Sequence, residues 1–116
     1  MEYKLKLNNR PFNAIKKGTK KVEGRTLTKY DKTPYDKMKS GDEILFINNK
    51  TRESMKVTVK FVNHYSDVRA MLLSEGTKNV LSSNGGIGEG IKSYNKFKGC
   101  KAGILKNGIY AIGIRK

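Results

Sequence analysis

The sequence predicts an α+β domain built on a small curved sheet or barrel. Three observations carry this. Both ends of the chain read as strands, Glu2–Leu7 through its apolar–polar alternation and Ile109–Arg115 as a largely apolar run. Two further strand patterns lie in the middle, Glu43–Asn48 and Ser54–Tyr65. Between them apolar residues recur at helical spacing. No repeat or linker interrupts the chain, so residues 1–116 read as a single domain.

In order, Tyr3, Leu5 and Leu7 mark the first strand's buried face. Asn9 is expected to cap a helix whose first turn tolerates Pro11. Phe12 and Ile15 share its inner side, and Gly18 suits a left-handed closing residue. A strand over Lys20–Leu27 follows, with Glu23 and Arg25 on one face and Val22 opposed. Lys29–Ser40 reads as a basic loop holding a short helical turn. Gly41-Asp42 turns into the apolar strand Glu43–Asn48, and Asn48–Thr51 forms a hairpin turn. Met55, Val57, Val59 and Phe61 alternate with Lys56, Thr58 and Lys60 in the clearest amphipathic strand. Asp67 caps a helix through Ser74. A short turn at Thr77–Leu81 and a loop at Ser82–Gly86 precede a helix over Ile87–Phe97. One more turn at Lys101–Lys106 leads into the last strand, where Ile109, Ala111 and Gly113 oppose Tyr110, Ile112 and Ile114.

Composition narrows the function. Lys and Arg total 25 against 10 Asp and Glu, a net charge of +15 over 116 residues. Such a balance favours polyanions, since each neutralised phosphate releases counterions. The plain alternative is a solvated lysine-rich surface. No apolar run approaches the ~20 residues that cross a bilayer, and the N-terminus lacks a signal-peptide core. Cys100 and His64 each stand alone, which excludes an intrachain disulfide and a zinc site built from these two residues. These features place the protein in the cytoplasm, with no metal and no cofactor expected. Gly85-Gly86-x-Gly88 lacks a preceding strand and the dinucleotide spacing, so it is no phosphate loop.

The stretch Ile15–Arg25 gathers a glycine turn, Lys20, Glu23 and Arg25. The ordered pieces are Phe12-x-x-Ile15-x-x-Gly18-x-Lys20-x-x-Glu23-x-Arg25, Gly41-Asp42-x-Ile44-x-Phe46, Val57-x-Val59 leading to Tyr65, Met71-Leu72-x-x-Glu75-Gly76, Gly90-x-x-x-Tyr94-x-x-Phe97 and Gly108–Ile114. In that order they resemble the ASCH-domain family of the PUA-like superfamily, small β-barrels that handle RNA. The resemblance covers nearly the whole chain. It implies a PUA-like β-barrel of about five or six strands with surrounding helices. It also implies a cleft where the Gly18–Arg25 segment meets the Glu75 region, and RNA or a modified nucleoside as partner.

On this reading Lys17, Lys20, Lys21, Glu23, Arg25 and Tyr65 are the ligand-binding candidates. Lys20 can meet a phosphate or a developing oxyanion. Glu23 is either a surface ion pair or a carboxylate held by Arg25 that binds a base edge or activates water. Tyr30, Tyr35, Tyr65, Tyr94 and Phe97 could stack on unpaired bases. Tyr94 and Phe97 are expected to be core and Tyr65 to face the cleft, with His64 structural. The leading expectation is recognition of an unpaired or modified nucleotide. The alternative is an amidohydrolase acting on acetylcytidine-type nucleosides. An enzymatic subgroup resembling the family uses a lysine after the glycine, a threonine three residues on and a later glutamate. Lys20 and Glu75 match the first and third, but Glu23 replaces the threonine, so a hydroxyl nucleophile is missing. Catalysis would then fall to Lys20 polarising the carbonyl, Glu23 as base on a water and Glu75 as acid. A ribonuclease is a further enzymatic alternative.

Overall fold

A computed structural model describes residues 1–83 and 85–116; the expected loop Ser82–Gly86 contains Asn84, which lies outside them. The strands are β1 (Glu2–Leu7), β2 (Val22–Arg25), β3 (Glu43–Asn48), β4 (Ser54–Tyr65) and β5 (Ile109–Arg115). The helices are α1 (Asn9–Lys17), α2 (Val68–Glu75), α3 (Thr77–Val80), α4 (Ile87–Asn95) and α5 (Cys100–Asn107). A 3-10 turn at Tyr35–Lys37 lies within the expected basic loop.

The five strands form one sheet in the order β1-β3-β4-β5-β2. β1 runs parallel to β3, and the other neighbours are antiparallel. β4 is the longest strand. Its first half pairs with β3 and its second half with β5, with a register shift between Val59 and Phe61. A bulge of this kind sharpens the local twist and bends the strand, which curls the sheet. Opposite the shift stands Gly113, where a Cβ would meet the Phe61 ring at 2.1 Å. The small residue lets the ring approach β5 more closely than any side chain at 113 would allow.

The curl does not close. β1 and β2 are the two edges of the sheet, so the expected barrel of five or six strands is corrected to an open, curled five-stranded sheet with helices around it. The reason lies in the short β2. It covers only Val22–Arg25 instead of Lys20–Leu27, and its ladder partner is β5. The Thr19 and Lys20 amides are both used to close α1, on the Ala14 carbonyl. Beyond Arg25 the chain leaves the ladder, and the Thr26 hydroxyl donates to the Gly108 carbonyl at 2.7 Å.

Two cores result. Leu5, Leu7, Phe12, Ile15, Ile44, Phe46, Val57, Val59, Ile112 and Ile114 fill the inside of the curl. Val22, Met71, Leu72, Val80, Ile104, Ile109 and Ala111 lie between the opposite sheet face and the helices. β5 feeds both through its alternation, Ile112 and Ile114 to one side and Ile109 and Ala111 to the other. Asp67 caps α2 as expected, accepting from the Ala70 amide at 2.8 Å. Asn9 is not the cap of α1. It is the first helical residue, and its side chain accepts instead from Asn48 and Asn13. Among the described residues no helix is long and apolar enough to cross a membrane.

α5 packs close to the chain leaving β2. A Cβ on Gly103 would stand 2.3 Å from the Leu27 carbonyl oxygen, a backbone atom with no side-chain freedom to yield. Gly103→Ala should therefore lower stability by about 1–3 kcal/mol in urea unfolding. Gly88→Ala, in α4 with open space around the added methyl, should cost nothing.

Candidate functional site

The site grows out of the end of α1. Gly18 adopts the left-handed conformation at φ 87° and ends the helix. Lys16 and Lys17 occupy the last turn, where the helix dipole favours cations. The reversal brings Lys20 to a position only 4% exposed. Its ammonium donates to the Val22 carbonyl at 2.9 Å and to the Val80 carbonyl, and it pairs with Glu23 Oε1 at 3.2 Å. An ammonium has three hydrogens, and here all three have a protein acceptor. Lys20 thereby ties β2 to the end of α3.

Glu23 is 6% exposed. Its other oxygen, Oε2, accepts from Arg25 Nε at 2.7 Å. Arg25 Nη2 then reaches across to the Lys6 carbonyl at 2.8 Å. This bond joins β2 to β1, so a side chain bridges the two strands that the ladder leaves apart. Arg25 is also electrostatically coupled to Asp31, whose Oδ2 accepts from the buried Tyr35 hydroxyl at 2.6 Å.

Burial and charge set the protonation states. Burial pushes the Glu23 carboxyl up, but Arg25 and Lys20 outweigh it and hold the group below its ordinary value. Burial pulls the Lys20 ammonium down, and Glu23 opposes that pull. For Arg25, burial is overcome by Glu23 and its neighbours, which raise its pKa. Asp31 is lowered against its own burial by the Tyr35 hydroxyl and the Thr33 amide. Glu23 is therefore held in its charged form by the two cations, which makes it a weak base.

Over these groups opens a cleft of about 660 Å³. It lies where the edges β1 and β2 face each other without pairing. Lys6 and Arg10 line one side, and Tyr30 and Asp31 line another. The segment after α3 contributes Ser82 and Ser83, and the α4–α5 elbow contributes Tyr94, Phe97 and Lys98. Gly24 in the floor has no room for a Cβ, which would stand 2.3 Å from the Tyr94 hydroxyl. Five cationic side chains line the cleft, Lys6, Arg10, Lys20, Arg25 and Lys98, against the carboxylates Glu23 and Asp31. Tyr30 and Phe97 are 55% and 51% exposed. Lys98 Nζ stands 4.8 Å from the Tyr30 ring centroid, and Lys29 Nζ stands 5.4 Å from it.

The structure thus brings Lys20, Glu23 and Arg25 together and leaves other candidates elsewhere. Lys17 and Lys21 are exposed and outside the cleft lining. Glu75 and Tyr65 also lie outside it. Their side chains bond each other at 2.5 Å, and Glu75 accepts as well from Asn63 at 2.9 Å. They form a polar clasp between α2 and β4. Phe97, expected to be core, lies beyond the end of α4 and borders the cleft instead. Lys6, Arg10 and Lys98 were not singled out by the sequence, because nothing local distinguishes them from other surface cations. Among the described residues no group of three or more His, Cys, Asp and Glu is placed to hold a metal.

An open, curled sheet carrying a cleft at its unpaired edges, with helices packed on the other face, is a PUA-like fold. The model of the ASCH domain matches residues 5–111, and the chain belongs to the ASCH-domain family. It is similar to the hypothetical protein PH0355, known from a crystal structure, at 36% identity and a TM-score of 0.83; the match covers 99% of this chain and 98% of that one. It is also similar to Protein PF0455 from Pyrococcus furiosus, known from a solution NMR structure, at 36% identity and a TM-score of 0.75; that match covers 99% of this chain and 96% of that one. No curated protein matches the chain.

The lowered Glu23 pKa makes stability depend on pH. Its unfolded value is about 4.3, and its folded value lies below that. The stabilisation is complete above the unfolded pKa and is lost as pH falls through the folded one. Asp31 acts in the same direction. Urea midpoints should stay level from pH 7 to about pH 5 and fall steeply below about pH 4. Glu23→Gln should lower the plateau and flatten that fall. An unchanged acid slope in the variant would contradict the assignment.

Proposed function

We propose that this ASCH domain binds single-stranded RNA and seats one unpaired nucleotide in the cleft. The supporting observation is the composition of the opening. Two exposed aromatic rings, Tyr30 and Phe97, border a hollow in which cations outnumber carboxylates. Splayed-out bases stack on such rings, while cations take the phosphates. Lys6, Arg10 and Lys98 are the phosphate partners in this reading, and Tyr30 or Phe97 takes the base. Glu23 and Arg25 form a rigid floor. The carboxylate is an acceptor and the guanidinium a donor, so together they can read a base edge. The family's association with RNA and the chain's net charge of +15 point the same way.

Modified bases fall within the same reading, since a floor of fixed donors and acceptors discriminates by fit and hydrogen bonding. Acetylcytidine hydrolysis has less support. It asks Lys20 to polarise a carbonyl, but the three ammonium hydrogens already have protein acceptors. It asks Glu23 to take a proton, but two cations depress its basicity. Glu75, the expected acid, bonds Tyr65 and Asn63 outside the cleft lining.

Fluorescence anisotropy with a labelled single-stranded RNA and with its duplex tests the proposal. The single strand should bind more tightly than the duplex, and its affinity should fall steeply from 50 to 200 mM salt, by about 10- to 1,000-fold for a few phosphate contacts. Tyr30→Ala should weaken binding about 5- to 100-fold at fixed salt. No binding at low salt, or equal binding of duplex and single strand, would overturn the reading.

A further inference from the structure

A shallow, open depression lies on the α4–α5 elbow, in the segment between Asn95 and Leu105. Its lining includes Lys96, Lys98 and Lys101 and contains no carboxylate among the described residues. Its apolar surface comes from Phe97 and from Leu105, which is 90% exposed. Phe97 and Lys98 line both this depression and the cleft. The cleft and the shallow depression therefore meet at one ring and one cation.

The elbow has this shape because α4 stops at Asn95 and α5 starts at Cys100. Gly99 turns the chain in the left-handed conformation, at φ 79°. A Cβ there would stand 3.0 Å from the Tyr30 ring. The close approach holds the elbow against Tyr30 and leaves Phe97 facing outward at the rim.

We infer that the elbow is a second nucleotide subsite, so that the ligand is a continuous single strand at least two nucleotides long. The inference rests on the proposed reading of the cleft. A half-exposed ring at the border of the cleft and the open depression can stack a base on either side. A phosphodiester joining two such nucleotides would pass between the cleft and the depression, where Lys98 is placed to meet it. Lys96 and Lys101 supply cations for the next phosphate, and the absence of lining acids leaves nothing to repel it. Leu105 gives the second base an apolar surface beyond the ring. Free nucleosides would occupy the cleft alone and leave the elbow empty.

Calorimetric titration of the full chain at low salt separates the two claims. The probes are the four 5′-mononucleotides, their homodinucleotides, and dinucleotides in which one residue lacks its base, at either end. The best dinucleotide should bind at least about ten-fold more tightly than its mononucleotide, the size expected from stacking one more base. Removing the second base should abolish most of that gain. Lys101→Glu, at a residue that lines the elbow but not the cleft, should reduce the ratio of dinucleotide to mononucleotide affinity. Phe97→Ala should reduce it too, and Phe97→Tyr should restore it. These substitutions are at exposed positions, and circular dichroism checks that each variant folds. If mononucleotides bind and dinucleotides gain nothing, or if the abasic dinucleotide binds as tightly as the intact one, the subsite is refuted while the cleft reading stands. If neither mononucleotides nor dinucleotides bind, both fail.

Discussion

A single carboxylate shared by two cations holds the region together. Glu23 accepts from Lys20 on one oxygen and from Arg25 on the other. A carboxylate this far from water is tolerated only with such partners, because losing one leaves an uncompensated charge that costs about 3–5 kcal/mol. The same two cations reach outward to the backbone. Lys20 binds the end of α3 through the Val80 carbonyl, and Arg25 binds β1 through the Lys6 carbonyl. One ionic cluster thereby joins the end of α1, both sheet edges and the helical layer.

The open seam follows from this arrangement. Where a closed barrel would place a ladder of backbone hydrogen bonds, this sheet places a guanidinium. Arg25 supplies a bond across the gap and leaves a hollow above it, lined by charged and aromatic groups. The seam is therefore the part of the sheet where a side chain, not a ladder, spans the two edges. Because Glu23 and Arg25 are fixed by each other, the proposed ligand would meet preset donors and acceptors and lose little free energy in ordering them.

Local patterns made much of this legible before the fold was known. Gly18, Lys20, Glu23 and Arg25 sit within eight residues, and short-range geometry alone places them on one turn and one strand. The alternation marked both faces of β5, and those of β4 as far as Val59; past the register shift Phe61 packs on the opposite core from Met55, Val57 and Val59, and Val62 takes the first face instead. Non-local facts were not legible. β2 stops at Arg25 because the chain then turns to Gly108, whose carbonyl accepts from the Thr26 hydroxyl, and no pattern within either edge strand encodes that distant partner. Glu75 and Tyr65 looked like site residues because each ends an element, but α2 and β4 set them side by side, where they satisfy each other. Phe97 fitted a helical stripe with Ile91 and Tyr94. The helix ends two residues before it, so the ring turns outward at the elbow. Lysines such as Lys6 and Lys98 acquire meaning only from what stands opposite them.

A double-mutant cycle on Lys20→Met and Glu23→Gln, followed by urea unfolding at pH 7, tests the shared-carboxylate account most directly. Each single substitution should cost about 3 kcal/mol or more, since each strands a buried polar partner. The double substitution should cost well below the sum, with a coupling of at least ~1 kcal/mol. Additive losses would show that Lys20 and Glu23 do not depend on each other, and the cluster could not then be what holds the seam.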